Sequence, residues 1–287
     1  MTKNSGKPNQ TLKISKLILI AAQFLSFISN KLTVSFAARL FTTPTKHKLP
    51  KREVTMDQKS RQESVFIPSI KKEIVVYHYG DSPKKILLMH GWSGRGTQLV
   101  KFADALLANV YMTISFDAPA HGKSKGNTTL LPEFIESILE LEKKFGPFEA
   151  AVGHSLGGIA LLNSVRRGLQ IDKLTIVGAA DIISDITDQF VAKLELDAKY
   201  SVLLRDHFEK KHQISMDSFS AWHAAALTPI PVLVIHDADD DEVPVKCAYH
   251  IHENLPNGQL MITQQLGHRK ILGDKKVIAQ TIDFFKS

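Results

Sequence analysis

The chain has 287 residues, 44% of them hydrophobic, with a single cysteine and a formal net charge of +7. That composition holds one large or two small α/β-sized cores and excludes an intrachain disulfide framework, which fits a reducing, cytoplasmic compartment. The charge sits in residues 1–72, which carry 14 Lys/Arg against 3 Asp/Glu; the remainder carries 22 against 26, and no DNA- or RNA-reading motif is present, so nucleic acid is not expected as a partner.

Residues 1–15 are polar and basic and are expected to be disordered. Residues 16–41 read as one or two amphipathic helices, with Leu17 to Ala22 continuously apolar and Lys31, Ser35 and Arg39 on a polar stripe. The apolar run is too short for a membrane span, and no good cleavage site follows it. The arm therefore either packs on the protein or lies on an anionic membrane surface, which would make the chain peripheral to the inner membrane. Phe24, Phe27, Phe36 and Phe41 favour packing, as large apolar groups suited to a fixed interface. Residues 42–64 read as a linker, so residues 1–64 form an arm and linker and residues 65–287 the main domain.

From residue 65 onward strands and helices alternate. Strands are expected over 72–79, 85–90, 110–117, 148–153, 173–179, 231–236 and 259–264, and helices over 96–108, 131–144, 156–168, 244–254 and 274–286. Apolar strands alternating with helices imply an α/β fold, a mostly parallel doubly wound sheet with helices on both faces. Residues 181–228 break the alternation with helix-like segments. An insertion of that size at the carboxyl edge of a sheet is expected to form a cap over a site.

The chemistry centres on Gly153-His154-Ser155-Leu156-Gly157, between an apolar strand and a helix. This is the Gly-x-Ser-x-Gly nucleophile elbow, in which a tight strand-to-helix turn exposes a serine hydroxyl. Side chains at 153 and 157 would collide with the neighbouring helix and strand. The pattern arises by chance in roughly one chain in ten of this length, so the reading depends on its surroundings. An attacked carbonyl needs two N–H donors for its oxyanion. The Leu156 amide supplies one; His90-Gly91-Trp92, after an earlier strand, offers the Trp92 amide as the other. Twelve histidines are present. His268, in Gly267-His268-Arg269 past the last strand, is the expected base. His90, His121 and His154 read as structural, and His47, His207, His212 and His223 as solvent-facing. The loop His236-Asp-Ala-Asp-Asp-Asp-Glu-Val-Pro244 offers the orienting acid: Asp240, with Asp237 and Asp239 as fallbacks. Its spacing does not fit a calcium-loop motif, and no metal is expected there. Cys247 reads as a small core residue.

In these motifs the chain resembles the α/β-hydrolase superfamily over roughly residues 70–287. The resemblance rests on His90-Gly91-Trp92, Asp117-Ala-Pro-Ala-His121-Gly122-Lys123-Ser124, the elbow, Asp240 with Val243-Pro244, and Gly267-His268. Its position before Val-Pro singles out Asp240. Many members carry Gly where this chain has Ala120. The pairing of Asp-Glu-Val-Pro with Gly-His-Arg, and a basic apolar arm ending near Thr43-Pro44, are similar to a poorly characterised bacterial subgroup. The resemblance implies a Ser155–His268–Asp240 triad working without cofactor or metal, most simply as a carboxylesterase on small or medium acyl esters. A serine nucleophile sets the chain apart from relatives that place Asp at the elbow. Acyltransferase, thioesterase or lipase, and cofactor-free lyase or perhydrolase activity are the alternatives on the same fold. A non-catalytic binding protein is the alternative from another class. The partner expected is a small-molecule ester, and the oligomeric state is left open.

Overall fold

The computed structural model describes residues 14–287. All but the last two residues of the segment expected to be disordered therefore lie outside the described residues. Two helices open the described chain, α1 (Lys16–Ile28) and α2 (Asn30–Thr42), hinged at an extended Ser29. A short helix α3 (Val54–Lys59) follows, then strands β1 (Arg61–Ile67), β2 (Lys72–Tyr79) and β3 (Lys85–Met89). Next come α4 (Val100–Ala108), β4 (Met112–Asp117), α5 (Leu131–Phe145), β5 (Ala150–His154), α6 (Leu156–Arg166) and β6 (Lys173–Val177). The chain continues through α7 (Ile183–Lys193), α8 (Lys199–His212) and α9 (Ala221–Ala226) to β7 (Val232–Asp237) and α10 (Lys246–Asn254). It closes with β8 (Gly258–Thr263), the single turn α11 (Gly267–Lys270) and α12 (Lys275–Lys286).

The eight strands form one sheet in the order β1-β2-β4-β3-β5-β6-β7-β8. β2 pairs antiparallel with β1 and β4, and every pair from β4 through β3 to β8 is parallel. Strand alternation divides the core in two. Leu87, Met89, Val232 and Val234 face one side, under α5, α6, α9 and α10; Ile86, Leu88, Leu233 and Ile235 face the other, under α4 and α12. Helices on both faces follow from central strands buried on both sides. Local chemistry sets the helix ends. α5 carries Pro132 in its first turn and buries Leu131, Phe134, Ile135, Ile138 and Leu141, one face of a 3.6-residue period. Asp274 caps α12 by accepting the amides of Lys276 and Val277.

Two segments differ from expectation. β1 starts at Arg61, inside the segment read as linker. Only Val65 and Ile67 of this edge strand are buried, so its apolar alternation is too short to show in sequence. The rest of that segment is packed rather than loose. Met56 and Glu53 are buried, Thr97 Oγ1 donates to Glu53 Oε2 at 2.8 Å, and the Thr45 amide donates to Ser93 Oγ at 3.0 Å.

α7, α8 and α9 lie within the expected insertion. α7 and α8 pack with α2: Val34, Ala37 and Ala38 bury against Val191, Leu194, Tyr200, Leu204 and Phe208. Tyr200 Oη donates to Asn30 Oδ1 at 2.9 Å. The arm is thus part of the cap, with Phe41 in edge contact with Phe190. Phe24 and Phe27, expected to serve the interface, point away from it and are exposed. The reason is geometric: the one side of α1 that meets the protein is filled by Ile18, Leu19 and Ala22. Among the described residues no helix is long and apolar enough to cross a membrane.

Candidate active site

Ser155 stands between the last residue of β5 and the first of α6, with φ 52° and ψ −121°. A non-glycine residue in that region is strained, and such strain is held only where the surroundings enforce it. Here they do. A Cβ on Gly157 would lie 2.5 Å from the Met89 carbonyl oxygen, and one on Gly153 would lie 2.7 Å from the Gly157 carbonyl oxygen. The two glycines let α6 start directly against β3 and β5. The Ser155 amide donates to Val177 at 2.8 Å, which ties the turn to the end of β6.

The loop after β3 lies against the elbow. A Cβ on Gly91 would come within 3.0 Å of Ser155 Cβ, so a side chain there would crowd the elbow. His90 braces the loop, donating from Nδ1 to the Gly91 carbonyl (2.7 Å) while its Nε2 accepts the Ala118 amide (3.1 Å). His121 likewise donates to Pro119 and accepts the Ser93 amide. Burial pushes His90 down to about 4 and His121 down to about 3, so both are neutral struts. Asp117, accepting from Gly96, Lys123 and Tyr77, clips this loop to the turn after β4. Ala120 sits in that turn at φ 66°, a left-handed conformation that glycine adopts at lower cost. The Trp92 amide donates to no group among the described residues. Leu156 is the first residue of α6, where an N–H has no acceptor within the helix.

His268, the second residue of α11, lies past β8 and is buried. Its Nδ1 donates to Asp240 Oδ2 at 2.7 Å. Asp240 Oδ1 accepts the amides of Glu242 and Val243, each at 2.9 Å. Burial alone would raise the Asp240 carboxyl, but the bond and charge of His268 and these two amides hold it below the usual carboxylate value. The other carboxylates of the loop have separate work. Asp237 accepts the amides of Gly267 and Asp239 and the Thr263 hydroxyl, Asp239 accepts the Gln265 amide, and Glu242 pairs with Arg269. Asp237 and Asp239, the fallback acids, therefore shape the turn that presents His268. No group of three or more His, Cys, Asp or Glu among the described residues could hold a metal ion.

Several further residues support this arrangement. His154 donates from Nε2 to the carbonyl of His268 at 3.0 Å, and burial holds it neutral. His236 donates to Val243 at 2.9 Å beside Asp240. Gly178, at φ 63°, leaves room for the dyad: a Cβ there would lie 3.3 Å from His268 Nδ1. Asp181 receives a hydrogen bond from His250 Nδ1 at 2.7 Å near the buried Cys247, whose thiol burial and Asp181 push up to about 12. His47, His207 and His212 are exposed, whereas His223 is half-buried and stacked on Trp222.

Ser155, His268, Trp92 and Leu156 line a single cleft of about 2000 Å³. Its lining is mixed, with charged groups such as Glu133, Asp185 and Lys193 among apolar ones. Ile183, Phe190 and Met216 come from the insertion, and Ile14, Ile18 and Phe41 from the arm.

The sequence matches the alpha/beta hydrolase family over residues 86–274. The chain belongs to that family. No curated protein sequence matches it. Among solved structures it is similar to an esterase of Exiguobacterium antarcticum, at 18% identity and a TM-score of 0.64, covering 79% of this chain and 100% of that one. It is also similar to an esterase of Pyrococcus furiosus, at 16% identity and a TM-score of 0.64, covering 85% and 96%. A membrane phospholipase A is similar over 94% of this chain and 95% of its own, at 16% identity and a TM-score of 0.62. At these identities the likeness is one of fold. This α/β hydrolase has an eight-stranded, mostly parallel sheet flanked by helices.

Proposed function

We propose that this α/β hydrolase is a carboxylic ester hydrolase working through Ser155, His268 and Asp240. The observation that carries the reading is the selective contact of Asp240 with His268 Nδ1 at 2.7 Å, in a cleft that also contains the strained Ser155. With Nδ1–H donated to Asp240, the free Nε2 is the basic nitrogen, as a base for a serine hydroxyl must be. His268 takes the Ser155 proton as Oγ attacks the acyl carbon. The Trp92 and Leu156 amides receive the oxyanion. The imidazolium then protonates the leaving alcohol, and the neutral imidazole activates the water that releases the acid and restores Ser155. Asp240 holds the tautomer throughout and stabilises the imidazolium.

The apolar side chains that the cap and the arm add to the cleft, Ile183, Phe190 and Met216 with Ile18 and Phe41, support an acyl chain of small to medium length as the substrate's buried part. The names of the similar structures, esterases and a phospholipase, point the same way. The test is covalent labelling with a fluorophosphonate probe, together with a panel of nitrophenyl esters varied in acyl length. Labelling should occur in the natural chain and vanish in Ser155→Ala, with hydrolysis highest at one acyl length. Labelling that persists in a folded Ser155→Ala protein overturns the mechanism.

A further inference from the structure

α1 is apolar on two sides, and only one of them is used. At 100° per residue, Leu17, Ile20, Phe24, Phe27 and Ile28 share an arc of about 100°. All are exposed: Leu17 at 77%, Phe24 at 63% and Phe27 at 88%. The opposite side, with Ile18, Leu19 and Ala22, is the one packed on the cap. Past the hinge, Leu32 at 50% exposure extends the bare surface. A helix face of this kind, left in water, marks an interaction surface.

Charge identifies what covers it. Residues 1–52 contain ten Lys/Arg and not one Asp or Glu. Lys16 and Lys31, at the two ends of the stripe, are exposed. A second copy of the chain meeting the stripe through a two-fold axis would oppose basic residues with basic residues. An anionic lipid surface meets both demands, since its headgroups attract the lysines and its acyl region receives the rings. We propose that the outer face of α1 docks on anionic bilayers. Ile14 and Ile18, on the inner side of the same segment, line the cleft, so the helix that docks is also part of the cleft wall. Resting on the hydrolase reading, this makes membrane-borne amphiphilic esters the substrate class.

The test is co-sedimentation of the full-length chain with vesicles of phosphatidylcholine alone or mixed with phosphatidylglycerol. The natural chain should sediment with the mixed vesicles and be released by salt. Phe24→Ser and Phe27→Ser should each weaken binding by roughly tenfold, with unchanged melting temperature, because both rings are solvent-facing. Lys16→Gln and Lys31→Gln should each weaken it by roughly fivefold. Hydrolysis of a soluble nitrophenyl ester should be the same in the phenylalanine variants, while hydrolysis of a vesicle-borne ester falls. Absence of sedimentation, sedimentation unaffected by the phenylalanine changes, or a dimer that those changes dissolve overturns the docking proposal. Vesicle binding without hydrolysis of any ester leaves docking standing and overturns the hydrolase reading instead.

Discussion

His154, the residue before Ser155, donates from Nε2 to the carbonyl oxygen of His268 at 3.0 Å. The elbow and the loop carrying the candidate base are thereby joined by a bond from an elbow side chain to the backbone of His268. In a site where a displacement of about 1 Å can lower turnover about a hundredfold, such a tie governs rate more than binding. His154→Leu removes the donor while keeping an apolar side chain of moderate size. Turnover of a nitrophenyl ester should fall by roughly one to two orders of magnitude with KM changed far less. Equal falls in both parameters, or none, would show that the bond does not position His268.

Five carboxylates crowd the end of β7 and the loop after it, and Asp237, Asp239, Asp240 and Glu242 each have different partners. Asp240→Asn leaves the shape intact but offers His268 Nδ1 an amide, which favours the wrong tautomer; turnover should drop by roughly four orders of magnitude. Asp239→Asn keeps an oxygen for the Gln265 amide and should stay within a few-fold of the natural chain. Asp237→Asn faces the amides of Gly267 and Asp239 and the Thr263 hydroxyl, and should reduce stability more than its direct effect on chemistry. Steady-state kinetics and melting curves of the three variants separate these outcomes. A larger fall in turnover for Asp239→Asn than for Asp240→Asn would reverse the assignment.

Acid should destabilise the fold from a pH well above the carboxylate range. His90, His121 and His154 are buried, and burial lowers all three from the ordinary 6.5. Below that value the unfolded chain binds protons that the folded chain refuses. The stabilisation is therefore present above 6.5 and is lost as pH falls towards the folded-state values, about 4 for His90 and about 3 for His121. Each imidazole contributes a slope of up to about 1.4 kcal/mol per pH unit in that window. The lowered Asp237 and Asp240 act in the same direction, but only near and below their ordinary 3.8. Urea midpoints measured between about pH 7 and about pH 5 should fall steadily. A flat profile across that interval would mean that the buried imidazoles take up protons without unfolding.

The elements easiest to read in sequence are those whose residues have a single steric solution. Gly153 and Gly157 are such cases, because a Cβ at either would meet backbone, and they locate the elbow from five letters. The parallel core strands read clearly because both of their faces are buried. β1 did not, since only two of its seven residues turn inward. Gly178 was equally silent: its role depends on β6 ending beside β7, a relation no local pattern encodes. The arm shows the same limit. Its phenylalanines announce a need for burial, but only the fold determines which side of α1 meets the cap and leaves Phe24 and Phe27 outside.

Gly178→Ala should impair the site out of proportion to the fold. The added methyl would stand 3.3 Å from His268 Cε1 and Nδ1, and 3.6 Å from Asp240 Oδ2. It also places alanine at φ 63°, a conformation that costs roughly 1–2 kcal/mol for a residue with a Cβ. That penalty is small against the several kcal/mol by which a domain is stable, so the protein should still fold, with a melting temperature lower by a few degrees. The imidazole, however, must shift by a few tenths of an ångström away from the methyl. It is held on its other sides by Asp240 and through its own carbonyl by His154, so the shift falls on the Nε2 that should face Ser155. Turnover should fall by at least roughly tenfold, whereas labelling of Ser155 by a small fluorophosphonate, which needs less exact alignment with a leaving alcohol, should fall less. Activity close to that of the natural chain in a Gly178→Ala protein of lowered stability would show that the dyad has more room than this packing implies.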